Sequence, residues 1–277
     1  MDNVEYSLYI VSTPIGNMDD ITLRALDCLK KVDFILCEDT RQSIKLLNHF
    51  GISKPLISYH KFNEAQISDS ITKKLLCGQT AALISDAGTP LISDPGHILI
   101  KKLIEKDIHF CVLPGANAVL PSIIKSGFST ERFLFAGFLP SKAADRQKAL
   151  DKYMHSDYPV ILYAAPHELK KLLKQMADTE PRVKLCINKE LTKLYENSFY
   201  GIASELIEIL PEEIKGEYTI VVNSNPEEKS YDNYNIENEF ENLTQKGITK
   251  KEALKEISGK TGIPKKELYA LLMKKDV

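Results

Sequence analysis

Ala81-Ala82-Leu83-Ile84-Ser85-Asp86-Ala87-Gly88-Thr89-Pro90-Leu91-Ile92-Ser93-Asp94-Pro95-Gly96 is the stretch whose reading decides the fold. Residues 81–84 are a short apolar run of the kind that forms a buried strand. Small residues, turn residues and two carboxylates follow, and residues 97–106 then resume at helical spacing. Small side chains at the carboxyl end of a strand let backbone approach a ligand closely, and open α/β sheets place their sites there. The stretch therefore predicts a strand, a ligand cradle and a helix.

The same rhythm runs outward in both directions. Strands are expected at 6–11, 34–37, 56–59 and 110–113, with helices at 22–31, 41–50, 64–76 and 97–106 between them. Leu23, Leu26 and Leu29 supply the apolar stripe of the first helix, and Gly51 closes the second. Strands alternating with helices of this length imply a mostly parallel sheet. The turn 114–118 breaks the pattern, and the domain crossover is placed there. Beyond it, strands at 133–136, 160–164, 183–188 and 218–222, helices at 142–155 and 167–178, and the stretch 195–200 running into 203–210 read as a mixed α/β domain. Residues 223–235 are polar and read as a linker. Short helical segments follow at 236–244, 250–258 and 264–273, split by Gly247 and by Gly259 and Gly262.

Composition narrows the class. A chain of 277 residues with 43% hydrophobic and 27% charged residues is globular and long enough for two domains. No apolar run reaches the roughly 20 residues that span a bilayer, and the N-terminus carries no secretory pattern. Cys28, Cys37, Cys77, Cys111 and Cys186 are isolated, and four of them sit in apolar segments as expected of buried reduced thiols. A cytoplasmic protein without disulfides or a metal site is expected. The net charge of −2 gives no overall footprint for nucleic acid. From Thr244 onward, however, nine lysines face four acids. Such a tail is either solvated surface or a phosphate-binding element.

Familiar signatures are missing. No G-x-G-x-x-G opens a β-α unit, Gly259-Lys260-Thr261 lacks the glycine and strand of a phosphate loop, and His167-Glu168 has Lys171 where a zinc protease has its second histidine. No G-x-S-x-G elbow occurs. What remains is a set of strand-end loops: 13–17, 38–41, 86–90, 114–118, 163–167 and 189–192. Each alone is ordinary turn material. Together, on one side of an α/β sheet, they would form a crevice rich in backbone contacts.

Residues 12–47 (STPIGNMDDITLRALDCLKKVDFILCEDTRQSIKLL), LISDAGTPLISDPG and LPGANAVLPSIIKSG, together with YAAPHEL, KELTKLYE and GEYTIVV, resemble the ribosomal RNA small-subunit methyltransferase I family. That family belongs to the tetrapyrrole-methylase-like enzymes. The resemblance covers roughly residues 6–223, and the tail is similar to the family's helix-turn-helix. It implies two α/β domains of tetrapyrrole-methylase type, 1–115 and 116–225, with the cofactor cleft between them, and a small helical RNA-binding domain at 236–277. It also implies S-adenosyl-L-methionine as methyl donor, the ribose 2′-hydroxyl of a cytidine in 16S rRNA of the 30S subunit as acceptor, and a homodimer. Carried over by position, the donor site comprises Pro14 and Gly16; Asp86, Ala87, Gly88, Thr89 and Pro90; Pro114, Gly115, Ala116, Asn117 and Ala118; and Ala165, Pro166 and Leu191. One position departs from pattern: Glu168 stands where the family usually has arginine, with Lys170 and Lys171 the nearest substitute cations.

Methyl transfer to a hydroxyl needs alignment and a group that takes the proton. Glu38, Asp39, Arg41 and Glu190 are the candidate catalytic residues, with His167 a further candidate base. Arg41 could hold phosphate while a carboxylate faces the hydroxyl; equally, Arg41 could pair with Glu38 or Asp39 and only order the loop. Two other readings stand beside this one: a methyltransferase of a tetrapyrrole or another small molecule, against which the lysine-rich tail and the SDAGTP loop argue, and a non-catalytic ribosome-binding protein of the same fold.

Overall fold

The computed structural model describes residues 6–223, 236–261, 268, 269 and 272. Residues 6–154 and 158–223 form one compact unit built on two five-stranded sheets. In the first sheet the strands are β1 (Leu8–Val11), β2 (Phe34–Cys37), β3 (Leu56–Ser58), β4 (Ala81–Leu83) and β5 (Phe110–Leu113). Their order is β3-β2-β4-β1-β5 and every pairing is parallel. The helices α1 (Leu23–Lys31), α2 (Thr40–His49), α3 (Glu64–Leu76) and α4 (His97–Glu105) make the crossovers.

Strand alternation explains why both faces of this sheet are covered. Leu8, Ile10, Phe34, Leu36, Ala81 and Leu83 join Ile71, Leu75, Leu99 and Leu103 of α3 and α4 in one cluster. Their chain neighbours Val11, Ile35, Cys37 and Ala82 point the other way and pack with Ala25, Cys28, Leu29 and Leu47 of α1 and α2. The buried stripe of α1 is thus Ala25, Cys28 and Leu29, whereas Leu23, expected in it, is 82% exposed. Leu23 opens the helix directly after its N-cap Thr22, whose hydroxyl accepts from the N–H of Ala25.

The second sheet is mixed. It contains β6 (Leu134–Phe138), β7 (Val160–Ala164), β8 (Lys184–Lys189), β9 (Asn197–Ile202) and β10 (Tyr218–Asn223) in the order β6-β7-β10-β8-β9. β6 and β7 are parallel; the other pairings are antiparallel. Consequently β10 runs against β7 and β8, and its first residue, Tyr218, lies beside the last residues of both, Ala164 and Lys189. Leu162, Leu185, Ile187, Ile220 and Val222 face α6 (Ala143–Tyr153), α7 (Pro166–Thr179) and α8 (Ala203–Ile209), while Ile161, Cys186 and Val221 face Ile123 of α5 (Val119–Ser126). Burying each such aliphatic side chain is worth about 1.5–3 kcal/mol before entropy is counted.

The C-terminal segment is a separate unit. Its helices α9 (Ile236–Gln245) and α10 (Lys250–Thr261) bury Leu243, Ala253, Leu254, Ile257 and Leu268 together. Thr249 caps α10 reciprocally with Glu252. Helix α10 runs on through Gly259 to Thr261, so that glycine does not split the segment as expected. The helix expected at 264–273 and the linker expected at 223–235 lie almost wholly outside the described residues; Asn223 itself closes β10. All five cysteines are free; Cys28, Cys37 and Cys186 are buried, Cys111 is half-buried and Cys77 is exposed. No described helix is long and apolar enough to cross a membrane.

Candidate methyl-donor site

Parallel pairing brings the carboxyl ends of β2, β4, β1 and β5 side by side on one edge, and their loops are stitched together there. Thr13 and Gly88 exchange backbone hydrogen bonds of 2.8 and 3.0 Å. The hydroxyls of Ser12 and Thr89 meet at 2.9 Å, and the Thr89 hydroxyl donates to the Ala116 carbonyl at 3.2 Å. Gly115 is required by this closeness: a Cβ there would fall 2.8 Å from that of Ser12. Next along the edge, the N–H of Asp39 donates to Asp86 at 3.1 Å.

Above this edge lies a cavity of about 400 Å³, walled by both sheets. That volume is within the range of small-molecule sites. Ile15, Asp86, Ala87, Gly88, Thr89, Ile92, Ser93, Asp94, Asn117 and Ala118 come from the first half; Phe138, Tyr163, Ala164, Ala165, Pro166, Asn188, Leu191, Glu217, Tyr218 and Thr219 come from the second. Five non-glycine residues among those described have positive φ, and four of them (Leu91, Ser93, Glu190 and Thr192) sit in two loops at this cavity. Backbone held this way is strained and persists where surroundings impose it.

Of the residues expected at the donor, Asp86, Ala87, Gly88, Thr89, Asn117, Ala118, Ala165, Pro166 and Leu191 line the cavity. Pro14, Gly16, Pro90, Pro114, Gly115 and Ala116 belong to the same loops but are not part of its wall. Neither Glu38, Asp39, Arg41 nor Glu190 lines it.

Arg41 folds back on Asp39 as a fork, with Nη2 and Nε at 2.7 and 3.0 Å from its carboxylate oxygens. That pairing, and the Arg41 N–H that Asp39 caps, hold the Asp39 carboxyl down at about 2. The Asp39–Arg41 ion pair expected as one alternative for this loop is thus formed. Glu38 is pushed up by burial and then by the charge of Asp86. Burial acts on Glu190 in the same direction, but the N–H of Glu217 and the Lys193 ammonium outweigh it and leave that carboxyl lowered. His167 is exposed. Glu168 ion-pairs at 3.5 Å with Arg146, a buried arginine of α6 that also donates to Gln175 and the Ser141 carbonyl. Glu168 is thus held by a cation from α6.

Sequence reasoning missed Asp94, Phe138, Tyr163 as a wall residue, Asn188 and 217–219. Asp94 was in the opening stretch, within Ser93-Asp94-Pro95-Gly96. The segment 217–219 enters by the amino end of an antiparallel strand, where a search of strand carboxyl ends does not look. Asn188 is only 1% exposed; its Oδ1 accepts from Ser198 Oγ at 2.8 Å, while its Nδ2 has no partner. A buried donor left unpaired costs about 1–3 kcal/mol, and Asn188 is also part of the cavity wall.

Two α/β lobes sharing one cavity at their loop edge define a class. The family described as Tetrapyrrole (Corrin/Porphyrin) Methylases matches residues 7–215. Among solved structures, diphthine synthase superposes with a TM-score of 0.62 at 13% identity, covering 78% of this chain and 89% of its own. A uroporphyrin-III C-methyltransferase from Thermus thermophilus, crystallised with S-adenosyl homocysteine, does so with 0.54 at 17%, covering 77% and 96%. At higher identity, the chain is 40% identical over 269 residues to the ribosomal RNA small subunit methyltransferase I of Halalkalibacterium halodurans, 95% of this chain and 93% of that protein. The chain belongs to the ribosomal RNA small subunit methyltransferase I family, within the tetrapyrrole-methylase class.

Proposed function

We propose that the protein transfers a methyl group from S-adenosyl-L-methionine to the ribose 2′-hydroxyl of a cytidine in 16S rRNA of the 30S subunit, in the cytoplasm. The observation that carries this reading is the 40% identity over 95% of the chain to a protein named for methylating small-subunit ribosomal RNA. The cavity is compatible with it. S-adenosylmethionine has polar nitrogens and oxygens for the unpaired Nδ2 of Asn188, an apolar body for Ile92, Phe138, Tyr163 and Leu191, and a cationic sulfonium for a wall holding Asp86 and Asp94. When bound, it supplies an electrophilic methyl on sulfur.

The chain's own residues then have three tasks. The stitched loops of residues 86–90 and 114–118, together with Pro14 and Gly16 of the first strand-end loop, hold the donor. Ala165, Pro166 and Leu191 close the opposite wall. Glu38, Asp39 and Arg41, at the end of β2 next to Asp86, are assigned to the incoming ribose and its phosphate, with the exposed Arg41 exchanging its ion pair with Asp39 for the phosphate; Glu190 orders the loop before Leu191. The domains are assigned as 1–115, 116–225 and 236–277, a reading supported by the presence of one five-stranded sheet in each of the first two. Residues 236–277 are assigned to RNA: Lys246, Lys250, Lys251 and Lys255 are exposed around the small core of α9 and α10, and lysine–phosphate contacts are salt-sensitive and largely sequence-independent. Deleting them is expected to weaken 30S binding and flatten its salt dependence while sparing donor affinity. Homodimerisation is supported by the open edge strand β5, where Val112 is exposed, and by exposed Leu120 and Ile124 one turn apart on α5.

The test is to incubate the protein with 30S subunits lacking the modification and methyl-labelled donor, then digest the RNA. Label in a 2′-O-methylcytidine of 16S rRNA is expected. Label on a base, or on a tetrapyrrole but no RNA, would contradict the proposal.

A further inference from the structure

We propose that Asp94 makes this cavity prefer the positively charged methyl donor to its neutral demethylated product, an inference that rests on the donor site proposed above. Three carboxylates line the cavity, and they differ in what neutralises them. Glu217 is paired with the Lys193 ammonium at 2.8 Å. Asp86 accepts the N–H of Asp39 at 3.1 Å and feels the Arg41 charge. Asp94 has no ion pair among the described residues.

The groups that act on Asp94 are the Ser85 hydroxyl from the end of β4, the Glu38 carboxylate from the end of β2, and Asp86 from its own loop. Across the cavity, the Tyr163 phenol of β7 responds to it in turn. Glu38 itself faces His60 and Asp39. Burial pushes the Asp94 carboxyl up, and the charges of Glu38 and Asp86 add to this against the opposing Ser85 hydroxyl, to about 6.

Two further observations fix the position and the occupant. The loop cannot easily move the carboxylate away: Leu91 and Ser93 are held at φ 71 and 73, and the N–H of Gly96 is tied to Glu64 at 3.0 Å. In the same cavity wall, the unpaired Nδ2 of the buried Asn188 offers a hydrogen bond to a ligand with acceptor atoms. A wall with an uncompensated carboxylate and an orphan neutral donor suits a molecule that is polar and carries one positive charge.

S-adenosylmethionine and S-adenosylhomocysteine differ by a methyl group and by that charge. An ionised carboxylate in the wall facing a sulfonium, partly screened, favours the cation on the order of tenfold. Linkage makes the effect reciprocal: the sulfonium favours the ionised carboxylate, so donor binding expels a proton near pH 6. Once the methyl group has left, the attraction is gone, and product release is no longer opposed by it.

The experiment is calorimetric titration of both ligands into the wild-type protein and Asp94→Asn between pH 5 and 8, in buffers of different ionisation enthalpy. The expected result is a wild-type donor affinity that rises about tenfold as the pH passes 6, with a buffer-dependent heat, beside a nearly flat profile for the product. Asp94→Asn is expected to lose the donor's pH dependence and about tenfold of its affinity at pH 7.5, with product affinity within about twofold. Equal weakening of both ligands, or no weakening, overturns the assignment. The wild-type pH profile tests it without the variant, and a donor profile as flat as the product's also overturns it. If neither ligand binds the wild-type protein, the donor-site reading itself fails, and this proposal with it.

Discussion

Two acidic loops leave neighbouring strands of the first sheet, after β2 and after β4, and they end in opposite electrostatic states. In the first, Asp39 and Arg41 sit two residues apart at the start of α2, close enough for the guanidinium to fold back, and the Asp39 carboxyl is held down at about 2. In the second, no lysine or arginine occurs between Ser85 and Ile100, and Asp94 is pushed up to about 6 by burial and by its acidic neighbours. The same residue types, one strand apart, make a self-satisfied helix cap and an uncompensated cavity wall. What separates them is whether a cation lies within reach along the chain.

That contrast can be broken most forcefully at Gly96. Its φ is 137, and a Cβ there would sit 2.9–3.1 Å from Leu91 and Leu83. Gly96→Ala is expected to cost roughly 2–3 kcal/mol in urea unfolding and to weaken the donor, because it distorts the loop that carries Asp94. A stability change under about 0.5 kcal/mol would mean the loop tolerates the shift. Next in size, Asn188→Leu is expected to lower donor and product affinity alike by about tenfold or more, since it removes the donor hydrogen bond that the cavity leaves free. Unaltered binding would place the ligand elsewhere.

Arg41→Ala sharpens the other side of the comparison. It is expected to leave donor affinity intact while reducing methylation of 30S subunits by at least about tenfold, the minimum for a lost charge-assisted contact. Unchanged turnover would confine Arg41 to its ion pair with Asp39.

The smallest effects are in stability, and they have opposite signs. Asp94 has a folded-state pKa above the usual carboxylate value, so its stabilising contribution is complete below about pH 4 and lost as the pH rises through about 6. Asp94→Asn should therefore melt above the wild-type protein at pH 8 and match it at pH 4. Asp39 has a lowered value, so its contribution is present above about pH 4 and lost as the pH falls towards 2. Asp39→Asn should melt below the wild-type protein at pH 7, with the gap closing in acid. Thermal unfolding across pH reads both, and shifts of the same sign would contradict the contrast.

The architecture was legible because it depends on short-range pattern. The strands Phe34–Cys37, Phe110–Leu113 and Val160–Ala164 and the helix Glu64–Leu76 fall at the expected residues, since each is an apolar or amphipathic run between turn residues. The strand-end loops of the first sheet were legible for the same reason. The site's other half was not. Tyr218 and Thr219 reach the cavity because β10 runs antiparallel, and Asn188 because β8 pairs with β10 in the register that sets it beside Thr219; neither follows from spacing along the chain. The Asp39–Arg41 fork was foreseen only as one of two outcomes, because local sequence permits both. Glu168 finding Arg146, 22 positions earlier on α6, likewise needed the fold.

The central claim is that the methyl donor sits in the cavity between the two sheets, and a crystal structure of the protein with S-adenosylmethionine tests it most directly. The ligand is expected inside the wall formed by residues 86–89, 117–118, 163–166 and 217–219, with an acceptor atom at hydrogen-bond distance from Asn188 Nδ2 and its sulfonium on the Asp94 side. Ligand density outside that cavity, or Asn188 Nδ2 still without a partner in the complex, would contradict it.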